Sequence, residues 1–179
     1  MKPIFTVEAG EYLVAKEFEH RGFRVWLPSK DTGIDLLISD HAVKRFVSVQ
    51  AKFSGDFSIS DSKKFGEELY LTGLFSTRAK NLHESPADYW ILMIASFKLR
   101  KMACVVVKPR ELYDRLEAIR PWGAGERHFF IWITTDKKCW ETNGLRKQEF
   151  KAVARGDYSN RTRDMTCWLE NWKPLLDGL

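Results

Sequence analysis

The chain has 179 residues, 29 Lys+Arg against 24 Asp+Glu, and a formal net charge of +5. That length suits one domain, residues 1–179, large enough to bury a core without staples. At 44% hydrophobic and 30% charged, with no apolar run longer than Tyr89 to Ala95, the composition excludes a disordered chain and a helical membrane bundle. Glu8 and Glu11 stand where an export signal needs an apolar stretch, so no export and no membrane partner are expected. Cys104, Cys139 and Cys167 are scattered without metal-ligand spacing, which makes a reduced, cytoplasmic setting the default. A basic balance permits a nucleic-acid partner without demanding one.

Residues 8–21 read as a helix, because Val14, Ala15 and Phe18 fall at helical spacing and Gly22 supplies a stop. Phe23 to Leu27 reads as a short strand ended by Pro28, and residues 29–33 are turn chemistry. Ile34 to Ser39 is a second strand. Lys44 to Phe53 is a third, with Val47, Val49, Ala51 and Phe53 on one face and Ser48, Gln50 and Lys52 on the other. Asp61 caps an expected helix running to about Leu71, with Phe65 and Leu69 on its faces. Residues 73–86 carry no clear period. Tyr89 to Phe97 reads as a buried central strand, joined by a hairpin through residues 98–101 to a strand at Ala103–Val107. Pro109 opens a helix striped by Leu112, Leu116 and Ile119. His128 to Thr134 is a further strand, residues 135–158 read as polar and irregular, and a final helix is expected over Arg163 to Leu176, bent near Pro174. Trp168 and Trp172 would share one face of it, as core packing. The order predicts a mixed α/β domain.

Three features near the start carry chemistry. Glu11 precedes Val14, Ala15 and Phe18 on the same helix face, and a carboxylate on a core-facing stripe needs a compensating charge or metal. It also fits an exposed helix start that favours the dipole's positive end. Asp35 stands where the turn at Gly33 enters an apolar strand, a residue type disfavoured there unless it has a task or bonds its own backbone. Gln50 and Lys52 project side by side from a strand whose other face is apolar. A solvated outer face would read the same way. Ser48 and Ser54 flank that motif, and solvated hydroxyls are the expected fate of both.

Together, a helix with an inward Glu11, a strand entered by Gly33-Ile34-Asp35, and a strand carrying Gln50-Ala51-Lys52 resemble the PD-(D/E)xK nuclease superfamily. The resemblance is to nucleases of the Mrr restriction type, where Gln takes the place of the usual acid, and to archaeal Holliday-junction resolvases. It covers about residues 10–54, within a motif-bearing core of about 8–110 that residues 111–179 complete. Ile34 stands where the motif has Pro. The resemblance implies a restriction-endonuclease-like α/β fold, a mixed central sheet flanked by helices. It implies a Mg²⁺- or Mn²⁺-dependent endonuclease acting on DNA in restriction, phage defence, repair or recombination. A homodimer follows from the need to cut two strands. Asp35, Glu11, Gln50 and the Ala51 carbonyl would hold the metal. Lys52 would act on the attacking water and on transition-state charge. Lys63, Lys64, Lys98, Arg100 and Lys101 are candidate phosphate contacts. The loop 135–158 is a candidate for substrate specificity. The alternative is a nuclease-like fold without activity, used for nucleic-acid binding or interaction.

Overall fold

The computed structural model describes residues 9–30, 32–56, 65 and 68–179. Helix α1 (Ala9–His20) forms on the expected stripe, with Val14 and Phe18 fully buried one turn apart. Strands β1 (Arg24–Trp26), β2 (Leu36–Ser39) and β3 (Phe46–Gly55) follow. Next come β4 (Leu69–Arg78), a short α2 (Ala79–His83), β5 (Tyr89–Ser96), β6 (Lys101–Val107) and α3 (Pro109–Ile119). The chain ends with β7 (Glu126–Thr134), β8 (Cys139–Glu141), α4 (Lys147–Arg155), a 3-10 turn at Thr166–Trp168 and α5 (Lys173–Leu176).

Five strands make a mixed sheet in the order β1-β2-β3-β5-β6. Only the β3–β5 pair is parallel, with Gln50 opposite Trp90 and Lys52 opposite Leu92. All eight residues of β5 are buried, because it is flanked on both edges and covered on both faces. One face of the sheet takes α1 and the C-terminal segment, with Val14, Phe18, Trp172 and Leu175 packed on Ile38, Val49 and Ile91. The opposite face takes a second, antiparallel sheet in the order β4-β7-β8. There Leu71, Phe75, Phe129 and Ile131 meet Trp90, Leu92, Ile94 and Val105. Helix α4 covers the outer face of that second sheet through Val153, against Trp132 and Trp140. The fold is therefore mixed α/β, with a mixed central sheet flanked by helices. Among the described residues no helix is long and apolar enough to cross a membrane.

Three expectations are overturned. The helix expected from Asp61 to Leu71 gives way at its C-terminal end to β4, which starts at Leu69 and pairs with β7 along its length. A ladder that long outweighs the helical spacing of Phe65 and Leu69; residues 61–64 lie outside the described residues. The segment 135–158 is not irregular, since it holds β8 and α4. Glu141 made β8 look polar, yet it is fully buried because Arg163 pairs with it at 2.5 Å. The final helix is also broken. Glu170 takes φ +52°, and its N–H donates to the Cys104 carbonyl at 2.8 Å, so only Lys173–Leu176 is helical beyond it. Trp168 and Trp172 accordingly pack in different cores rather than on one helix face.

Candidate functional site

The site is built where the chain enters β2 alongside the middle of β3. Backbone groups of alternate β3 residues point to opposite edges. Ser48 turns toward β5: its carbonyl accepts the Asp88 N–H at 3.0 Å, and its N–H donates to Asp88 Oδ2 at 2.8 Å. Val49 and Ala51 therefore turn toward β2. The Val49 carbonyl accepts the Asp35 N–H at 2.9 Å, and the Ala51 N–H donates to Asp35 Oδ2 at 2.8 Å. Asp35 is thus held from both its backbone and its side chain at the level of Gln50-Ala51-Lys52. The Ala51 carbonyl shares the edge of its own N–H, on the side of Asp35.

Gly33 makes this approach possible. Its φ of +81° is open to glycine, and a Cβ there would meet Pro86 Cγ at 3.3 Å and Gln50 Oε1 at 4.0 Å. The amide oxygen of Gln50 therefore faces the turn that delivers Asp35.

Gln50 and Lys52 line one cavity of about 330 Å³, together with Gly33, Lys80, Asn81, Glu84, Pro86 and Trp90. The Lys52 ammonium lies 5.5 Å from the centre of the buried Trp90 ring, a cation–π contact at the cavity wall. The far wall is α2, whose Lys80 is exposed and 3.7 Å from Glu84. Lys80 and Asn81 are cavity residues the sequence pattern does not single out. The only signal was a polar pair inside a stretch without clear period.

The remaining sequence-predicted residues are placed as follows. Glu11 is half-buried in the first turn of α1, next to Gly10. Gly10 sits so close to β3 that a Cβ would come within 2.4 Å of Phe53 Cβ, which brings the helix start onto that strand. Phe53 lies on the face of β3 opposite Gln50 and Lys52, so Glu11 approaches from the other side of the sheet and does not line the cavity. The structure thus bonds Asp35 to the Ala51 amide and sets Gln50 and Lys52 in one cavity; neither Asp35 nor Glu11 is among the residues lining that cavity, and α1 brings Glu11 to the same strand from behind. Ser48 and Ser54 are buried rather than solvated. Ser48 Oγ donates to Asp88 Oδ2 at 2.7 Å, and Ser54 Oγ accepts the Leu74 N–H at 3.0 Å.

Lys98 and Arg100 are exposed in the β5–β6 turn. Lys101 is half-buried, its ammonium 4.8 Å from the centre of the Tyr70 ring, which Lys137 also approaches at 3.6 Å. Lys63 and Lys64 lie outside the described residues. Among the described residues no group of three or more His, Cys, Asp or Glu side chains could hold a metal ion. The sequence-derived ligand set has two carboxylates, an amide oxygen and a carbonyl, so it falls outside such a group by composition.

No family model matches the chain, and no curated protein matches it in sequence. Among solved structures, the chain is similar to a bacterial homing endonuclease, with 12% identity and a TM-score of 0.47. That match covers 94% of this chain and 88% of the other.

Proposed function

We propose that this chain is a metal-dependent nuclease of restriction-endonuclease-like fold that hydrolyses DNA phosphodiester bonds. One observation carries the reading: Asp35 is clamped to the Ala51 amide between Gln50 and Lys52, whose side chains line one cavity. Asp35 stands just before β2, and two hydrogen bonds fix it to Val49 and Ala51, the residues on either side of Gln50. That arrangement suits an anionic substrate.

The oxygen donors fit a hard dication. The Asp35 carboxylate and the Ala51 carbonyl lie on the β2 side of β3, Gln50 Oε1 lies on the cavity face beside Gly33, and Glu11 would have to reach them from α1 on the other face. Such residues would hold Mg²⁺ or Mn²⁺, which supplies Lewis-acid polarisation of the phosphoryl oxygen and acidifies water when bound. Lys52 places a positive charge where charge develops on the phosphoryl oxygens, with Trp90 fixing the ammonium at the wall. It also hydrogen-bonds and orients the attacking water. Lys80 and Asn81, on the opposite wall, contact the flanking phosphate. The chain acts as a cytoplasmic homodimer, one site per strand, in restriction, phage defence, repair or recombination.

The test is incubation of supercoiled plasmid with Mg²⁺ or Mn²⁺, beside the Asp35→Ala and Lys52→Ala variants. Nicking or linearisation lost in both variants supports the reading. A second reading, a nucleic-acid-binding protein without activity, is favoured by the position of Glu11 outside the cavity and by Gln50 in place of an acid. It predicts plasmid binding with no cleavage under either metal.

A further inference from the structure

The β5–β6 turn carries an exposed apolar pair that packing does not account for. Phe97 is 71% exposed and Leu99 51% exposed, whereas every residue of β5 before them is buried. They alternate with exposed Lys98 and Arg100. The turn is built rather than loose. The Arg100 N–H donates to the Phe97 carbonyl at 3.3 Å, the Leu99 N–H to the buried Ser96 Oγ at 3.4 Å, and the Phe97 ring lies 6.3 Å from that of Phe53. Arg100 takes φ +52°, a left-handed position where glycine would rest without cost, so the chain keeps a cation there against its local preference.

Charge decides the occupant. From Phe97 to Lys101 the turn carries Lys98, Arg100 and Lys101 and no acidic residue, and the acid beside it, Asp56, whose N–H donates to the Ala95 carbonyl, is engaged by the Thr72 N–H and hydroxyl. A turn of one sign favours a polyanion over a second copy of itself. Two apolar side chains alternating with two cations match a nucleic-acid duplex, where phosphates flank stacked bases. The position fits as well. Lys52 pairs level with Leu92, so Phe97 lies five residues farther along, about 17 Å at the usual strand rise.

We infer that the β5–β6 turn is a duplex-DNA wedge: Phe97 and Leu99 enter the minor groove and part a base step, while Lys98 and Arg100 hold the phosphates on either side. For its partner class the inference rests on the nuclease reading. It goes beyond it by naming double-stranded DNA and a second anchoring point away from the cavity.

The test measures binding of the full chain to a short blunt duplex with 2-aminopurine at spaced adenine positions, by anisotropy and by 2-aminopurine fluorescence. The wild type should bind with a rise in fluorescence, which reports unstacking. Phe97→Ala with Leu99→Ala should bind about tenfold more weakly, with the rise abolished and the salt dependence kept. Lys98→Ala with Arg100→Ala should instead lower the slope of log affinity against log salt by about two. Arg100→Gly relaxes the left-handed position, so it separates lost charge from lost folding: it should melt no lower than wild type yet bind more weakly. Equal affinity and equal fluorescence in the Phe97/Leu99 variant overturn the inference. So does a wild type that binds anionic vesicles but not the duplex, or a Phe97/Leu99 variant that turns a dimer into a monomer by light scattering. Asp35→Ala separates the two claims. Cleavage lost there with Phe97/Leu99 binding intact fails the wedge alone. Turn-dependent duplex binding without any metal-dependent cleavage fails the nuclease reading alone.

Discussion

One face of β3 carries Ser48, Gln50, Lys52 and Ser54 in a row, and these four polar side chains have two different fates. The end pair is spent inside the protein: Ser48 is bonded to Asp88, and Ser54 ties β3 to Leu74 of β4. The middle pair lines a cavity, opposite Lys80 and Asn81. Alternation gives all four the same side, because successive strand residues point to opposite faces. It says nothing of what covers that side. Here the second sheet closes over one end of β3, the segment before β5 closes over the other, and the gap between them is where chemistry has room.

Substitutions at the two pairs should therefore separate activity from stability. The largest effect is expected in the middle. Asp35→Ala should lower plasmid cleavage by about 10³-fold and Lys52→Ala by about 10²–10³-fold, with unfolding free energy shifted by about 1 kcal/mol or less. At the ends the order reverses. Asp88→Ala removes the acceptor of two donors on Ser48, the N–H at 2.8 Å and the Oγ at 2.7 Å, and Ser48 is buried. A loss of about 1–3 kcal/mol in urea unfolding should follow, with cleavage per folded molecule changing less than in Asp35→Ala. If Asp88→Ala abolishes cleavage in a stably folded protein, the division between ends and middle is wrong. A smaller effect, of a few-fold, sharpens the role of Gln50. Gln50→Glu adds one negative charge beside Asp35, so half-maximal cleavage should need less Mg²⁺. An unchanged metal titration would remove Gln50 from the ligand set.

The same contrast explains how much the sequence could disclose. The first sheet was legible because its signals are local. Val47, Val49, Ala51 and Phe53 alternate cleanly, Tyr89 to Ala95 is continuously apolar, and Gly33 marks the turn that delivers Asp35. The second sheet was not. Leu69 begins β4 only because β7 lies beside it, Glu141 is buried only because Arg163 reaches it, and the C-terminal helix is broken by Glu170 bonding to β6. Those are contacts between residues distant in sequence, and no local period encodes them. The candidate site divides in the same way. Asp35, Gln50 and Lys52 were singled out by the resemblance that their order carries, whereas Lys80 and Asn81 enter through α2, a helix of five residues whose place is set by packing. The position of Glu11 behind β3 depends on how closely Gly10 lets the helix approach.

Glu141 extends the comparison to a charged group buried without a cavity, and its effect should be the smallest. Its carboxylate pairs with Arg163 and accepts the Asn143 N–H at 2.9 Å. Burial pushes its pKa above the ordinary glutamate value, while Arg163 and that N–H pull against the shift. A folded-state pKa raised above the unfolded one means the native protein holds the proton more tightly. The stabilisation is then fully present below the unfolded value and is lost as pH rises through the folded one. Urea unfolding from mildly acidic to neutral pH should accordingly show wild-type stability declining relative to Glu141→Gln, which cannot titrate. Parallel curves would mean that the Arg163 pair offsets the desolvation of Glu141 completely. A buried acid in the second sheet would then cost no more than one open to the cavity, and the line drawn between spent and available polar groups on β3 would have to rest on geometry alone.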